Sequence, residues 1–217
     1  MPVLDEAGQI EATLAALAPL RRRGVELIVV DGGSQDGTVA LARAEADAVL
    51  DAPRGRARQM NAGAAAARGE VLLFLHADTI LPPEADRLAL RAAAGGRDWG
   101  RFDVRIAGRH PMLRVVAMLM NWRSRLTGIA TGDQAIFVRR ELFQRIGGFP
   151  DQPLMEDIEL SRRLRRVSAP ACLPARVTTS GRRWESRGVW RTIFLMWRLR
   201  WRYWRGESAH RLAAAYR

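Results

Sequence analysis

An α/β fold with a largely parallel sheet is predicted by three observations. Two apolar runs end abruptly in polar, acidic groups: Glu26-Leu27-Ile28-Val29-Val30 runs into Asp31, and Val71 to Leu75 runs into His76-Ala77-Asp78. Such runs read as strands buried on both faces, and open α/β sheets bind ligands at the carboxyl edge of those strands. Strand-like and helix-like segments alternate through the first half of the chain. A third acidic group, Glu156-Asp157, opens a later helix. Together they point to a site for a metal, a phosphate-bearing ligand and a general base.

The elements follow in order. After the strand ending at Asp31, Asp36-Gly37-Thr38 starts a helix with Asp36 as N-cap. Val49-Leu50 is a short apolar run, and Arg56 to Arg68 is an Ala-rich helix that Gly69 stops. Pro82-Pro83 opens a helix that ends at Gly95-Gly96. Phe102 to Ile106 alternates as a strand does, and Pro111 to Leu126 has helical periodicity with Leu113, Val116, Met120 and Arg123 near one face. Ala135 to Val138 is a strand and Arg140 to Ile146 a short helix closed by Gly147-Gly148. Glu156 to Val167 is a helix with Leu160, Leu164 and Val167 inward; Arg176 to Thr179 is a late strand and Val189 to Arg205 a final helix. The N-terminal Met1 to Glu6 reads as the end of a strand and its loop. An apolar segment upstream of Met1 is therefore expected, the alternative being a short first strand.

At 217 residues, one domain is the default. All 35 basic residues are arginine and the net charge is +12, so the surface attracts nucleotides, anionic lipid or nucleic acid. Cys172 stands alone, which excludes an internal disulfide and fits a reducing, cytoplasmic setting. No apolar run is long enough to span a bilayer.

Each motif has a sharp and a bland reading. Asp31-Gly32-Gly33-Ser34 lets backbone approach a ligand beside a helix N-terminus, or is simply a tight turn. Arg54, Arg56 and Arg58 offer forked cations for a diphosphate, or a solvated basic face. Asp78 suits Mg²⁺ or Mn²⁺, with His76 as a second ligand, a supporting group or a bystander. Glu156-Asp157 is a general base, or ordinary acidic capping of a helix. In the last helix Trp190, Trp197, Trp201 and Trp204 form one stripe, with Arg191, Arg198, Arg202 and Arg205 beside it. That stripe either meets a membrane interface or covers the protein's own core.

In combination these residues resemble the family 2 glycosyltransferases of the GT-A fold. Pro2-Val3-Leu4-Asp5-Glu6 is similar to the family's loop after the first strand, and Asp31-Gly32-Gly33-Ser34 with Asp36-Gly37-Thr38 to its nucleotide-binding turn. Arg58 to Gly63, including Asn61, resembles its Asn-Gly helix segment. His76-Ala77-Asp78 stands where the family has Asp-x-Asp, and Glu156-Asp157, preceded by Gly147-Gly148-Phe149, where it has its base motif. His76 in place of the first Asp is a departure. Arg123 to Gly128 with Gly132-Asp133-Gln134 is similar to a narrower bacterial subfamily, the radical-SAM/selenodomain-associated transferase 2 group.

The resemblance implies a single GT-A domain over 1–217: a nucleotide-binding half (1–100), an acceptor half (101–180) and a basic, aromatic C-terminal helix (181–217). It implies an inverting, metal-assisted transfer from a nucleoside-diphosphate sugar, a UDP-sugar first, to a hydroxyl acceptor. Donor contacts would come from Pro2, Leu4, Asp5, Glu6, Asp31, Gly32, Gly33, Ser34, Arg56, Asn61 and Ala77. Asp78 and His76 would hold Mn²⁺ or Mg²⁺, and Asp157, or failing it Glu156, would be the base. A lipid-linked acceptor and a peripheral position on the inner face of the plasma membrane follow from the Trp/Arg helix; nucleic acid is not expected. The rivals are a sugar-1-phosphate nucleotidyltransferase, whose Gly-rich basic loop Pro2 to Gly8 does not supply, and a non-catalytic basic module binding membrane or nucleic acid, which leaves Asp31, Asp78 and Asp157 without a role.

Overall fold

Two sheets organise the chain in the computed structural model, which describes residues 1–216. The first is wholly parallel: β1 (Pro2–Val3), β2 (Ile28–Asp31) and β3 (Ala48–Asp51), in that order. The second has the order β4-β7-β6-β8-β5, from β4 (Val71–Leu73), β5 (Thr79–Ile80), β6 (Trp99–Ala107), β7 (Phe137–Arg139) and β8 (Ala171–Ser180). Its long central pair, β6 and β8, is parallel, while β4 with β7, β7 with β6 and β5 with β8 are antiparallel. Strand β2, buried throughout, ends on Asp31, whereas β4, in which only Leu72 is buried, ends at Leu73, ahead of His76-Ala77-Asp78.

Helices α1 (Ala7–Arg21), α2 (Thr38–Glu45), α3 (Arg56–Ala66), α4 (Ala85–Ala94), α5 (Met112–Thr127), α6 (Arg140–Arg145) and α7 (Glu156–Arg165) cover these sheets. Helix α1 escaped the sequence reading, although Ile10, Leu14 and Leu17 are buried at helical spacing. On α7, Leu160 and Leu164 point inward as expected, but Val167 lies beyond the helix and is exposed. Helix α5 is tied to β6 by a buried ion network. Arg101, fully buried, pairs with Asp103 and donates to Ser124 Oγ at 3.1 Å, and Arg125 grips both Asp103 oxygens at 2.7 and 2.9 Å. Burial pushes the Asp103 carboxyl up, but the two guanidinium groups hold it below the usual range.

Within this chain β1 pairs with β2 through Pro2 and Val3. The Met1 amine donates to the Ile28 carbonyl at 2.8 Å, and burial pushes it down to about 5. Beside it lies a slot of about 710 Å³, bordered by Met1, by Leu17 and Leu20 of α1, by Met60 of α3 and by β4.

Helices α8 (Arg182–Arg187), α9 (Val189–Trp204) and α10 (Ala209–Tyr216) finish the described chain. Helix α9 turns Val189, Thr192 and Leu199 inward. Trp190, Trp197, Trp201 and Trp204 are exposed, so the reading in which the indoles cover the core is overturned. No helix among the described residues is long and apolar enough to cross a membrane.

Candidate active site

The turn after β2 is built around Asp31. Its buried carboxylate accepts from the N–H groups of Gly33 (2.8 Å) and Ser34 (2.9 Å) and from the Ser34 hydroxyl. Burial pushes Asp31 up, but these bonds outweigh it and keep the group ionised. The loop after β1 docks on this turn. Asp5, in the left-handed region at φ 53°, donates its N–H to Ser34 Oγ and accepts from Gln35 N–H at 2.8 Å. The Glu6 N–H donates to Thr38 Oγ1, and Asp36 accepts from both Ala7 and Thr38 N–H groups. Pro2, Leu4, Asp5 and Glu6 are thereby brought to Asp31, Gly32, Gly33 and Ser34. Buried Gln59, which the sequence did not flag, donates to the Val3 and Val30 carbonyls at 2.8 and 2.9 Å and stitches α3 to both strands.

The second half of the site lies where β4 and its following loop meet the start of α7. A 3₁₀ turn, Gly132–Gln134, fills the space between them. Asp157 Oδ2 accepts the Gly132 N–H at 2.9 Å and its Oδ1 accepts the Ile158 N–H at 2.7 Å. The Gly132 backbone presses on the His76 ring, which a Cβ there would overlap, and His76 Nδ1 stands 3.7 Å from Asp133. A small cavity is lined by His76, Gly132, Glu156 and Asp157 together with Phe74 and Met60. The larger slot beside Met1 touches none of Asp31, Asp78 and Asp157.

Two carboxyls here are perturbed in the same direction. Burial pushes Glu156 up, and the neighbouring Asp157 charge adds to it against the field of Arg56. Burial also pushes Asp157 up, partly offset by its bonds from Gly132 and Ile158. Adjacent carboxyls resisting joint ionisation beside a cavity are what an acid–base site requires. Asp133 moves the other way: despite burial, the His76 contact holds it low.

Cations surround these groups. Exposed Arg56 acts on both Glu156 and Asp133. Arg58, by contrast, is paired with Asp151 at 2.8 Å. Arg183 of α8, missed in the sequence, lies over the Tyr216 ring at 4.0 Å and feels Arg56, Asp133 and Asp78. Only its position in a Gly-Arg-Arg-Trp run after a strand could have hinted at it. Arg123 has all three guanidinium nitrogens buried without a hydrogen-bond partner; burial pushes it down and the Asp157 charge opposes that. Asn61 is used elsewhere: it donates to the Phe149 carbonyl at 2.9 Å and accepts the Phe149 N–H at 3.0 Å, clamping the Gly148-Phe149 turn.

No cluster of three or more metal-ligating side chains occurs among the described residues. Mg²⁺ and Mn²⁺ do not need one, because one or two carboxylates plus substrate phosphates and water complete their shell. The half-buried Asp78 carboxylate, which among the described residues is bonded only by the adjacent Thr79 hydroxyl, fits that donor set. Ala77 is buried beside it and gives its carbonyl to Thr13.

A parallel nucleotide-type sheet joined to a mixed sheet, with acidic groups at the strand ends, is the GT-A glycosyltransferase fold. A mannosyltransferase from Pyrobaculum calidifontis, solved with GDP-Man and Mn²⁺, matches 92% of this chain at TM-score 0.66 and 24% identity, over 58% of its own length. S. aureus TarS 1-349 in complex with UDP matches 82% of the chain at TM-score 0.67 and 18% identity, over 58% of its length. Glucosyl-3-phosphoglycerate synthase from M. tuberculosis, with Mn²⁺ and UDP-glucose, matches 82% at TM-score 0.61 and 23% identity, over 67% of its length. The chain thus spans about three fifths of the first two. The chain belongs to glycosyl transferase family 2, whose model matches residues 1–147. No curated protein matches it in sequence.

Proposed function

We propose that this protein transfers a sugar from a nucleoside-diphosphate donor to a hydroxyl acceptor with inversion. The observation that carries the reading is Asp157: a carboxylate with raised proton affinity, bonded to Gly132 and facing the cavity that His76 lines. Asp157 takes the acceptor proton as the hydroxyl oxygen attacks the anomeric carbon from the face opposite the diphosphate. The bond from that carbon to the diphosphate oxygen breaks, and its electrons stay on the diphosphate. Arg56 and Arg183 neutralise that charge, Asp5 and the Asp31 turn hold the nucleoside, and Arg123 sets a positive charge against the base. Asp78, with His76 near it, would hold a divalent ion, Mn²⁺ or Mg²⁺, which supplies Lewis-acid stabilisation of the departing diphosphate when bound. The donor half then falls in residues 1–100 and the acceptor half in 101–180.

The structural neighbours solved with UDP, UDP-glucose or GDP-Man support a nucleotide sugar, and those containing Mn²⁺ support the metal. UDP-sugars are the first donors to test. Calorimetry with UDP-glucose and GDP-mannose, each with and without Mn²⁺, followed by product analysis with hydroxyl acceptors, tests the reading. Absence of metal-dependent nucleotide binding would remove it.

A further inference from the structure

The exposed apolar surface is not scattered. Among the described residues, ten of the fourteen large apolar side chains that stand exposed belong to α5 and α9. On α9 they are Trp190, Phe194, Trp197, Trp201 and Trp204, all more than half exposed. On α5 they are Val115, Met118, Leu119, Trp122 and Leu126, with Leu126 at 76%. Both sets recur at three- and four-residue intervals, so each helix carries an outer apolar stripe opposite its buried one.

Val189 of α9 shares a buried cluster with Leu113, Val116 and Ala117 of α5. Gly181, at the start of α8, lies against Leu113 near the start of α5, and Glu185 accepts the Arg109 N–H. Farther along α9, Leu195 and Leu199 share a cluster with Ile129, just past the end of α5. Neither helix contains an acidic residue. Arg191, Arg198 and Arg205 stand exposed along the flank of the Trp stripe, and Arg205 lies over the Trp201 ring at 5.0 Å.

The geometry points to an anionic bilayer surface as the partner of this face. Trp seated at the interface, with Arg reaching headgroups, is the composition of a helix lying in the membrane plane. Exposed apolar stripes of this extent are rare on a surface that meets only water. The absence of carboxylates on both helices, with a net charge of +12, complements anionic lipid and disfavours docking on another copy of so basic a chain. Docked this way, the protein would meet acceptors carried on lipid.

Vesicle binding tests this without donor or acceptor, so it stands or falls separately from the transfer reading. Co-sedimentation with phosphatidylcholine vesicles is compared with vesicles containing phosphatidylglycerol, alongside Trp quenching by brominated lipid. Binding is expected only with anionic vesicles, with quenched Trp emission and weakening in high salt. Arg191→Gln, Arg198→Gln and Arg205→Gln together should weaken it on the order of a hundredfold at low salt. Trp197→Ala with Trp201→Ala, and separately Trp122→Ala with Leu126→Ala, should each weaken it, while nucleotide binding stays at the parental level and so reports an intact fold. No binding to anionic vesicles overturns the proposal, as does equal binding to neutral ones. Full binding by the α5 variant removes α5 from the surface. Lipid-free self-association abolished by the Trp variants assigns the face to a second copy instead.

Discussion

Asp157 accepts the Gly132 N–H at 2.9 Å, while the other side of Gly132 rests on the His76 ring. One glycine thus holds the start of α7 and the end of the β4 segment at contact distance. Any side chain at 132 would collide with the imidazole, so Gly132→Ala must displace either His76 or Asp157. The expected result is a loss of turnover of at least about tenfold, with the melting temperature moved far less than by a core truncation. Parental turnover would show that this contact does not set the site.

Asp157→Asn should lower turnover by about 10²–10⁴-fold while donor binding is retained. Glu156→Gln is the control. If it is inactive while Asp157→Asn turns over normally, the base is Glu156.

The pH profile follows from the raised proton affinities of Glu156 and Asp157. A base whose pKa is raised stays protonated to higher pH, so kcat/KM should climb through an apparent pKa above the ordinary carboxylate value of about 4. Removing the opposing charge with Arg123→Met should move that limb higher still. The same shifts contribute stability below the unfolded carboxyl pKa values, and this is lost as pH rises through the folded ones. An acid limb at or below 4, unmoved in Arg123→Met, would contradict the assignment.

Asp78→Asn should abolish the Mn²⁺-dependent tightening of nucleoside diphosphate binding and leave metal-free binding nearly unchanged. His76→Ala separates ligand from neighbour: if His76 only supports Gly132 and Asp133, it will reduce turnover more than metal-dependent affinity. Equal metal response in Asp78→Asn and parent would remove Asp78 from the metal role.

The Met1 amine makes stability pH-dependent in a different window. Its pKa is about 5 in the fold against an ordinary 8.0, so the unfolded chain binds the proton more readily between those values. Stability should therefore fall as pH is lowered from 8 to 5. A Val/Ile-rich extension of a few residues before Met1 replaces the amine by a peptide group and offers apolar side chains to the 710 Å³ slot. Two such side chains, at roughly 1.5–3 kcal/mol each, should raise the melting temperature by roughly 5 °C or more. A Gly/Ser extension should recover only the amine part. Equal gains from both would show that the slot does not take up apolar side chains.

Strand ends were the most legible feature of the sequence, because a strand buried on both faces must be continuously apolar and its first polar residue marks the sheet edge. Asp31, which closes β2, could be found that way; Asp78 was found from the apolar run that β4 only begins, and Glu156-Asp157 from its place as an acidic helix start, and most elements between them were legible too. The structure decided what depends on neighbours distant in the chain. Asn61 has a donor and an acceptor to spend, and only the fold brings the Phe149 backbone to take both. Arg183 enters the site because α8 folds back towards Asp78 and Asp133, which no local spacing encodes. Helix α9 is apolar on two opposite faces, Val189 to Leu199 on one and the indoles on the other, so periodicity alone cannot choose which is buried. The fold chooses by packing the narrower aliphatic face and leaving the Trp stripe to whatever meets it from outside.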